Sequence, residues 1–195
     1  MLRLSNSSVR IAGISGSLRH GSYNTMLLNA AKDVLPEGAS LEIWGIGDLP
    51  LYNEDERLSG PSEPVRRFKE RLHAADAILF AVPEYNYSFT GVLKNAIDWA
   101  SRPTDESPLA RKPVAMMGAS GGTFGTVRAQ LHLRQVCVFC NMFPINKPEV
   151  LVREPDLKFS ADGKLTDGPT RELLGQLVAE LVRFTRQLRA GEDAL

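Results

Sequence analysis

The sequence predicts an α/β fold in which a parallel sheet is covered by helices on both faces. Three observations carry this. Runs that are apolar at every position, such as Ala77-Ile78-Leu79-Phe80-Ala81-Val82, read as strands buried on both sides. These runs alternate with stretches of helical periodicity. The first run, Ile11-Ala12-Gly13-Ile14, passes through a Gly/Ser loop directly into a helix start.

The elements follow in order. Val9 to Ser15 is the first predicted strand, and Asn24 to Val34 is a helix with Leu27, Leu28, Ala31 and Leu35 on one face. Leu41 to Ile46 is the second strand. Pro64 to Ala74 is an amphipathic, charge-rich helix, followed by the strand at 77–82 that Pro83 ends. Gly91 to Ser101 reads as a helix, Pro113 to Gly118 as the fourth strand, and Thr123 to Phe139 as a long helix. Met142 to Val152 holds a fifth strand near Val150. Arg171 to Arg189 is a terminal helix with an apolar face that includes Leu174, Leu177 and Leu181. Ligands of such sheets gather beyond the carboxyl ends of the strands. Two long loops, Gly47 to Glu63 and Arg153 to Gly168, are candidates for lining a site or an interface. The first carries Leu49, Pro50, Leu51 and Tyr52, an apolar cluster that predicts a covered surface.

A chain of 195 residues with 43% hydrophobic content fits one domain, residues 1–195. Lys+Arg and Asp+Glu balance at 23 each, which argues against nucleic acid or an anionic membrane as partner. No apolar run approaches the roughly 20 residues that span a bilayer. Met1 to Arg10 is polar and lacks the apolar core of a signal peptide, and two cysteines fit a reducing cytoplasm. Cys137-Val138-Phe139-Cys140 has CxxC spacing but no second pair, so it reads as buried structural cysteine rather than a redox or metal site. GxGxxG and GxxxxGK[ST] are absent, which removes support for a dinucleotide Rossmann site or a P-loop. No metal site is expected.

Three loops share the carboxyl-end rim. Gly16-Ser17-Leu18-Arg19-His20-Gly21-Ser22-Tyr23-Asn24-Thr25 combines a helix start, hydroxyls and a guanidinium, which suits an anion. Pro83-Glu84-Tyr85-Asn86-Tyr87-Ser88-Phe89-Thr90-Gly91 is aromatic and carries an amide. Gly118-Ala119-Ser120-Gly121-Gly122-Thr123-Phe124-Gly125 offers backbone N–H groups freed by glycine. Together they suit a flat heteroaromatic ring bearing a phosphate. His20 lies in the anion loop, either supporting the anion or simply exposed there, while His73 and His132 fall on helices and read as surface or packing residues. Asp98-Trp99 after Asn95 could be read as catalytic, but helix packing or interface contacts are the favoured reading. Arg102 could reach a nucleotide or a partner subunit, or be a solvated charge at a helix end. Glu54-Asp55-Glu56-Arg57 is a solvated charge run.

At these residues the chain resembles the NAD(P)H-dependent FMN reductase family, particularly its quinone- and chromate-reductase-like members. The resemblance rests on Gly16-Ser17-Leu18-Arg19 with Ser22 and Asn24, and on Pro83 to Ser88. It continues through Gly91 to Trp99, then Ser120-Gly121-Gly122 with Arg128-Ala129-Gln130 and Leu133-Arg134. It implies a flavodoxin-like three-layer sandwich around a five-stranded parallel sheet, in strand order 2-1-3-4-5. It also implies non-covalent FMN, NADPH or NADH as co-substrate, and a dimer or tetramer. Ser17, Arg19, Ser22, Asn24 and Thr25 match the phosphate loop. Pro83, Glu84, Tyr85, Asn86 and Tyr87 match the segment along the isoalloxazine ring, and Ser120, Gly121 and Gly122 match the loop beside it. Phe89-Thr90 departs from relatives that place a proline before the glycine. Because the flavin carries the hydride chemistry, no catalytic side chain is assigned. Expected acceptors are quinones, free flavin, azo compounds or oxidised metal ions such as chromate. The rival is a flavodoxin-type electron carrier without NAD(P)H turnover. Carriers usually dock through an acidic surface, and this chain is neutral.

Overall fold

The computed structural model describes residues 8–192. Residues 1–7 of the polar segment read as lacking a signal sequence lie outside the described residues. Four long strands, β1 (Val9–Ser15), β2 (Ala39–Trp44), β3 (Ala77–Ala81) and β4 (Pro113–Ser120), run parallel. With β5 (Phe143–Pro144) they stand in the predicted flavodoxin-like order β2-β1-β3-β4-β5.

The expected fifth strand is divided. β5 pairs with the start of β4 at Pro113 and Val114, and β6 (Val150–Arg153) pairs with its end from Met117 to Ser120. Pro144 and Pro148 each lack an N–H, so a continuous ladder cannot form between the two pieces. The sheet therefore has six strands rather than five.

Strand alternation divides the interior into two layers. Ile78, Phe80 and Val82 face one core with α3 (Glu63–Ala74), α4 (Gly91–Ala100) and α5 (Val127–Phe139). Ala77, Leu79 and Ala81 face the other, built on α1 (Tyr23–Lys32) and α6 (Gly168–Glu192). Burial on both faces is why these strands read as unbroken apolar runs. α5 begins four residues later than its periodicity predicts, because 121–126 stays an open glycine loop with Gly125 at φ +60. α6 begins earlier than predicted, at Gly168, where Asp167 Oδ2 accepts the Thr170 N–H at 2.9 Å.

The long loop after β2 is partly helical. A short helix, α2 (Glu54–Ser59), is N-capped by Asn53 and buries none of its residues, in keeping with a solvated charge run. Part of the apolar cluster before it is covered by the chain's own α4. Asn95 Nδ2 and Trp99 Nε1 both donate to the Pro50 carbonyl at 2.8 Å, and the Tyr52 ring packs edge-on against Trp99. Leu49 is buried, whereas Leu51 is 83% exposed. Cys137 and Cys140 form no disulfide and are buried. Burial pushes the Cys137 thiol up to about 12 and raises that of Cys140.

Candidate functional site

The loops following β1, β3 and β4 are locked together. Thr90 Oγ1 donates to the Gly16 carbonyl at 2.6 Å, and Gly16 N–H donates to Ala81 O at 2.9 Å. A Cβ on Gly16 would lie 2.8 Å from Pro83 Cδ, so only glycine lets the first two loops meet this closely. Gly118 plays the same part between β3 and α5. A Cβ there would fall 2.3 Å from both Val82 O and Thr126 Oγ1. The first and third loops are joined by Asn24, whose Nδ2 donates to Ala119 O at 2.9 Å and whose Oδ1 accepts Ala119 N–H at 3.0 Å.

A cavity of about 290 Å³ lies within this rim. Ser17, Arg19, Ser22 and Asn24 line it from the first loop, Pro83, Glu84 and Tyr85 from the second, and Ser120 and Gly121 from the third. Its polar end is the start of α1. Ser22 is the N-cap, its Oγ accepting Thr25 N–H at 3.4 Å, and the first turn carries no acidic residue. N–H groups there favour an anion. Arg19 lies over the Tyr23 ring at 5.8 Å and donates through Nη2 to Gly21 O at 2.7 Å.

Thr25, Asn86, Tyr87 and Gly122 stand outside the cavity walls. Thr25 Oγ1 turns inward and donates to Ser15 Oγ at 3.0 Å. Gly122 N–H donates to Ser120 Oγ at 3.2 Å. Asn86 and Tyr87 form the tip of a tight turn, at φ +50 and +67, between Tyr85 and Ser88. Those two exchange backbone hydrogen bonds of 2.9 and 3.0 Å.

Four wall residues lie outside the site set expected from the sequence: Tyr23, Ala119, Pro155 and Asp156. The last two belong to the loop after β6. There Glu154 adopts a left-handed φ of +46 and a 3₁₀ turn, Pro155–Leu157, follows. Phe159 anchors that loop, bridging to Leu165 and stacking at 5.5 Å on Tyr23. The loop's length flagged it as site-lining, but no local pattern singled out Asp156.

A larger cavity of about 490 Å³ opens between α4 and α5, on the other side of the 83–90 loop. Ile97, Val136 and Phe139 form its apolar part, with Arg102 5.7 Å above the Phe139 ring. His132 Nδ1 lies 3.1 Å from Ser88 Oγ at its edge, and Asp98 is paired with Lys94 at 2.7 Å. His20, His73 and His132 are all exposed. Among the described residues no group of three His, Cys, Asp or Glu is placed to hold a metal ion. No helix there is long and apolar enough to cross a membrane.

Residues 9–155 match the sequence profile of NADPH-dependent FMN reductases. The chain is 52% identical over 181 residues to an NAD(P)H-dependent FMN reductase of Pseudomonas aeruginosa, covering 93% of this chain and 97% of that one. It is 45% identical over 187 residues to an NADPH:quinone oxidoreductase of Arabidopsis thaliana, with 93% and 94% covered. Among solved structures, a flavoenzyme NAD(P)H:(acceptor) oxidoreductase from Paracoccus denitrificans superposes with a TM-score of 0.84 at 34% identity, covering 92% and 98%. Profile, sequence and backbone thus agree along the stretch that builds the three-loop rim, and the chain belongs to the NADPH-dependent FMN reductase family.

Proposed function

We infer that this chain is an NAD(P)H-dependent oxidoreductase that holds FMN without a covalent bond and passes electrons to small-molecule acceptors. The observation that carries the reading is the locked three-loop rim. It joins a helix-terminal anion end to a ring-side loop and a glycine loop, around one cavity.

The donor set fits the cofactor. Ser17, Ser22 and Arg19 stand where a phosphate is favoured, and Asn24 and Thr25 brace the loop that presents them. Pro83, Glu84 and Tyr85, with Asn86 and Tyr87 at the turn, would run along the ring, with Ser120, Gly121 and Gly122 beside it. When bound, FMN supplies reversible hydride chemistry. The chain's own residues bind, orient and shield the reacting face. None is assigned as a catalytic acid or base.

The neutral charge balance and the reductases among the relatives favour an enzyme over a carrier. The quinone-reducing relatives make quinones the foremost acceptor class. Free flavin, azo compounds and chromate are further candidates. We place all of residues 1–195 in one FMN-binding domain in the cytoplasm. We also assign a homodimer or homotetramer, for which the exposed Leu131, Val138 and Phe139 of α5 beside the larger cavity are the support.

The test is direct. Purified protein should be yellow, with one FMN per chain released on denaturation. Anaerobic NADH or NADPH should bleach it, and a quinone should restore the colour. Protein that retains no flavin after reconstitution with excess FMN and desalting would overturn the reading. Light scattering that returns 21.4 kDa at micromolar concentration would exclude the oligomer.

A further inference from the structure

Arg128 belongs to no wall of the cavity, yet it joins two of the rim's loops. Its Nε donates to Glu84 Oε1 at 2.6 Å, and its backbone N–H donates to Glu84 Oε2 at 3.0 Å. The Ala129 N–H donates to the same Oε2 at 3.2 Å. The Glu84 side chain, 6% exposed, thus caps the first turn of α5 and fixes the guanidinium plane. The guanidinium Cζ lies over the Tyr87 ring, 3.8 Å from the centroid, and over Phe124, 5.3 Å from the centroid. Tyr87 belongs to the ring-side loop and Phe124 to the glycine loop, and both are largely exposed.

Asn86 and Tyr87 are two successive non-glycine residues in left-handed backbone. Such a conformation persists where surrounding structure over-determines it. The paired backbone bonds of Tyr85 and Ser88 hold the turn from within. A stacked guanidinium anchored from beneath holds it from without. Arg128 is poorly suited to capture a ligand anion, because the Glu84 carboxylate already neutralises it at contact distance.

We propose that Glu84 and Arg128 form a clamp that positions the ring-side loop against the glycine loop, with Arg128 as the positioning residue that stacks Tyr87 into its left-handed turn. The consequence for the cofactor rests on the FMN reading above; the consequence for the loop does not. A lysine could keep the charge but has neither a flat face nor a fixed fork.

The experiment compares Arg128→Leu and Arg128→Lys with the parent chain, by amide hydrogen exchange without flavin and by FMN titration. Both variants are expected to speed exchange at residues 85–88 by about tenfold or more, while β3 stays as protected as in the parent. Both should raise the FMN Kd by about tenfold. Three results would overturn the clamp: exchange at 85–88 within about twofold of the parent in Arg128→Leu, full parental protection in Arg128→Lys, or lost protection throughout β3 in both. If the parent chain binds no FMN, the exchange measurement still decides the clamp, and only the cofactor reading falls.

Discussion

The Asn24 carboxamide pairs with both polar backbone groups of Ala119, 95 residues away, at 2.9 and 3.0 Å. Asn24 is 5% exposed, so this pair seals the junction between α1 and the end of β4 from water. Asn24→Ala would leave the Ala119 N–H and C=O without partners. Each unsatisfied buried group costs about 1–3 kcal/mol, so a loss of roughly 2–4 kcal/mol in chemical denaturation is expected. Asn24→Asp should recover part of it, because a carboxylate still accepts from the N–H but cannot donate to the carbonyl. Equal stability of Asn24→Ala and the parent would mean that the pair contributes nothing.

Arg19 gives a cleaner test of ligand chemistry. A charge-assisted contact to phosphate contributes about 1.5–3 kcal/mol, so Arg19→Ala should weaken FMN by about 10- to 100-fold. Riboflavin lacks the phosphate and should lose little. Fluorescence titration of both flavins separates the outcomes, and equal losses would move Arg19 off the phosphate.

Steady-state kinetics should show double displacement. Dinucleotide and acceptor would both approach the open rim beside Asn86 and Tyr87, so the oxidised dinucleotide should leave before the acceptor binds. Double-reciprocal plots at several acceptor concentrations are then parallel; intersecting lines would establish a ternary complex. His20→Asn, His73→Asn and His132→Asn should each keep kcat within about tenfold, since general acid–base groups contribute about 10²–10⁴-fold. His132, 3.1 Å from Ser88 Oγ on the loop after β3, is the sharpest of the three. A loss beyond about 10²-fold there, with FMN bound, would reveal a proton-transfer role.

Acid stability should report on Asp76, at the opposite end of the sheet. Burial alone would raise its carboxyl. The Arg10 backbone N–H at 2.7 Å and the Arg189 guanidinium outweigh that and hold it below the usual carboxylate range. A carboxyl lowered in the folded state stabilises fully above its unfolded pKa of about 3.9 and loses that contribution as pH falls through the folded value. Asp76→Asn should therefore unfold more easily than the parent at pH 7, and the gap should close below about pH 4. A gap independent of pH would show that packing, and not charge, is what Asp76 supplies.

The strands at 9–15 and 77–81, the helices α1 and α3 between them and the strand order were legible because their signals are local or follow from a known topology. Apolar runs at strand length and 3.6-residue periodicity need no knowledge of the rest of the chain. The meeting of three loops on one rim follows from parallel strands, because every carboxyl end points the same way. What the sequence could not reveal depends on long-range neighbours. The break between β5 and β6 is where the chain parts from β4, around two prolines that propensity had merged into one strand. The apolar cluster at Pro50 reads as a covered surface, but what covers it is set by Asn95 and Trp99, 45 and 49 residues on, which donate to its carbonyl. Asp156 reaches the cavity because Phe159 packs on Tyr23. Glu84 and Arg128 were visible as residues but not as a pair. Their 44-residue separation is closed by β4 and the glycine loop, and only packing at Gly118 brings α5 close enough for the carboxylate to cap it.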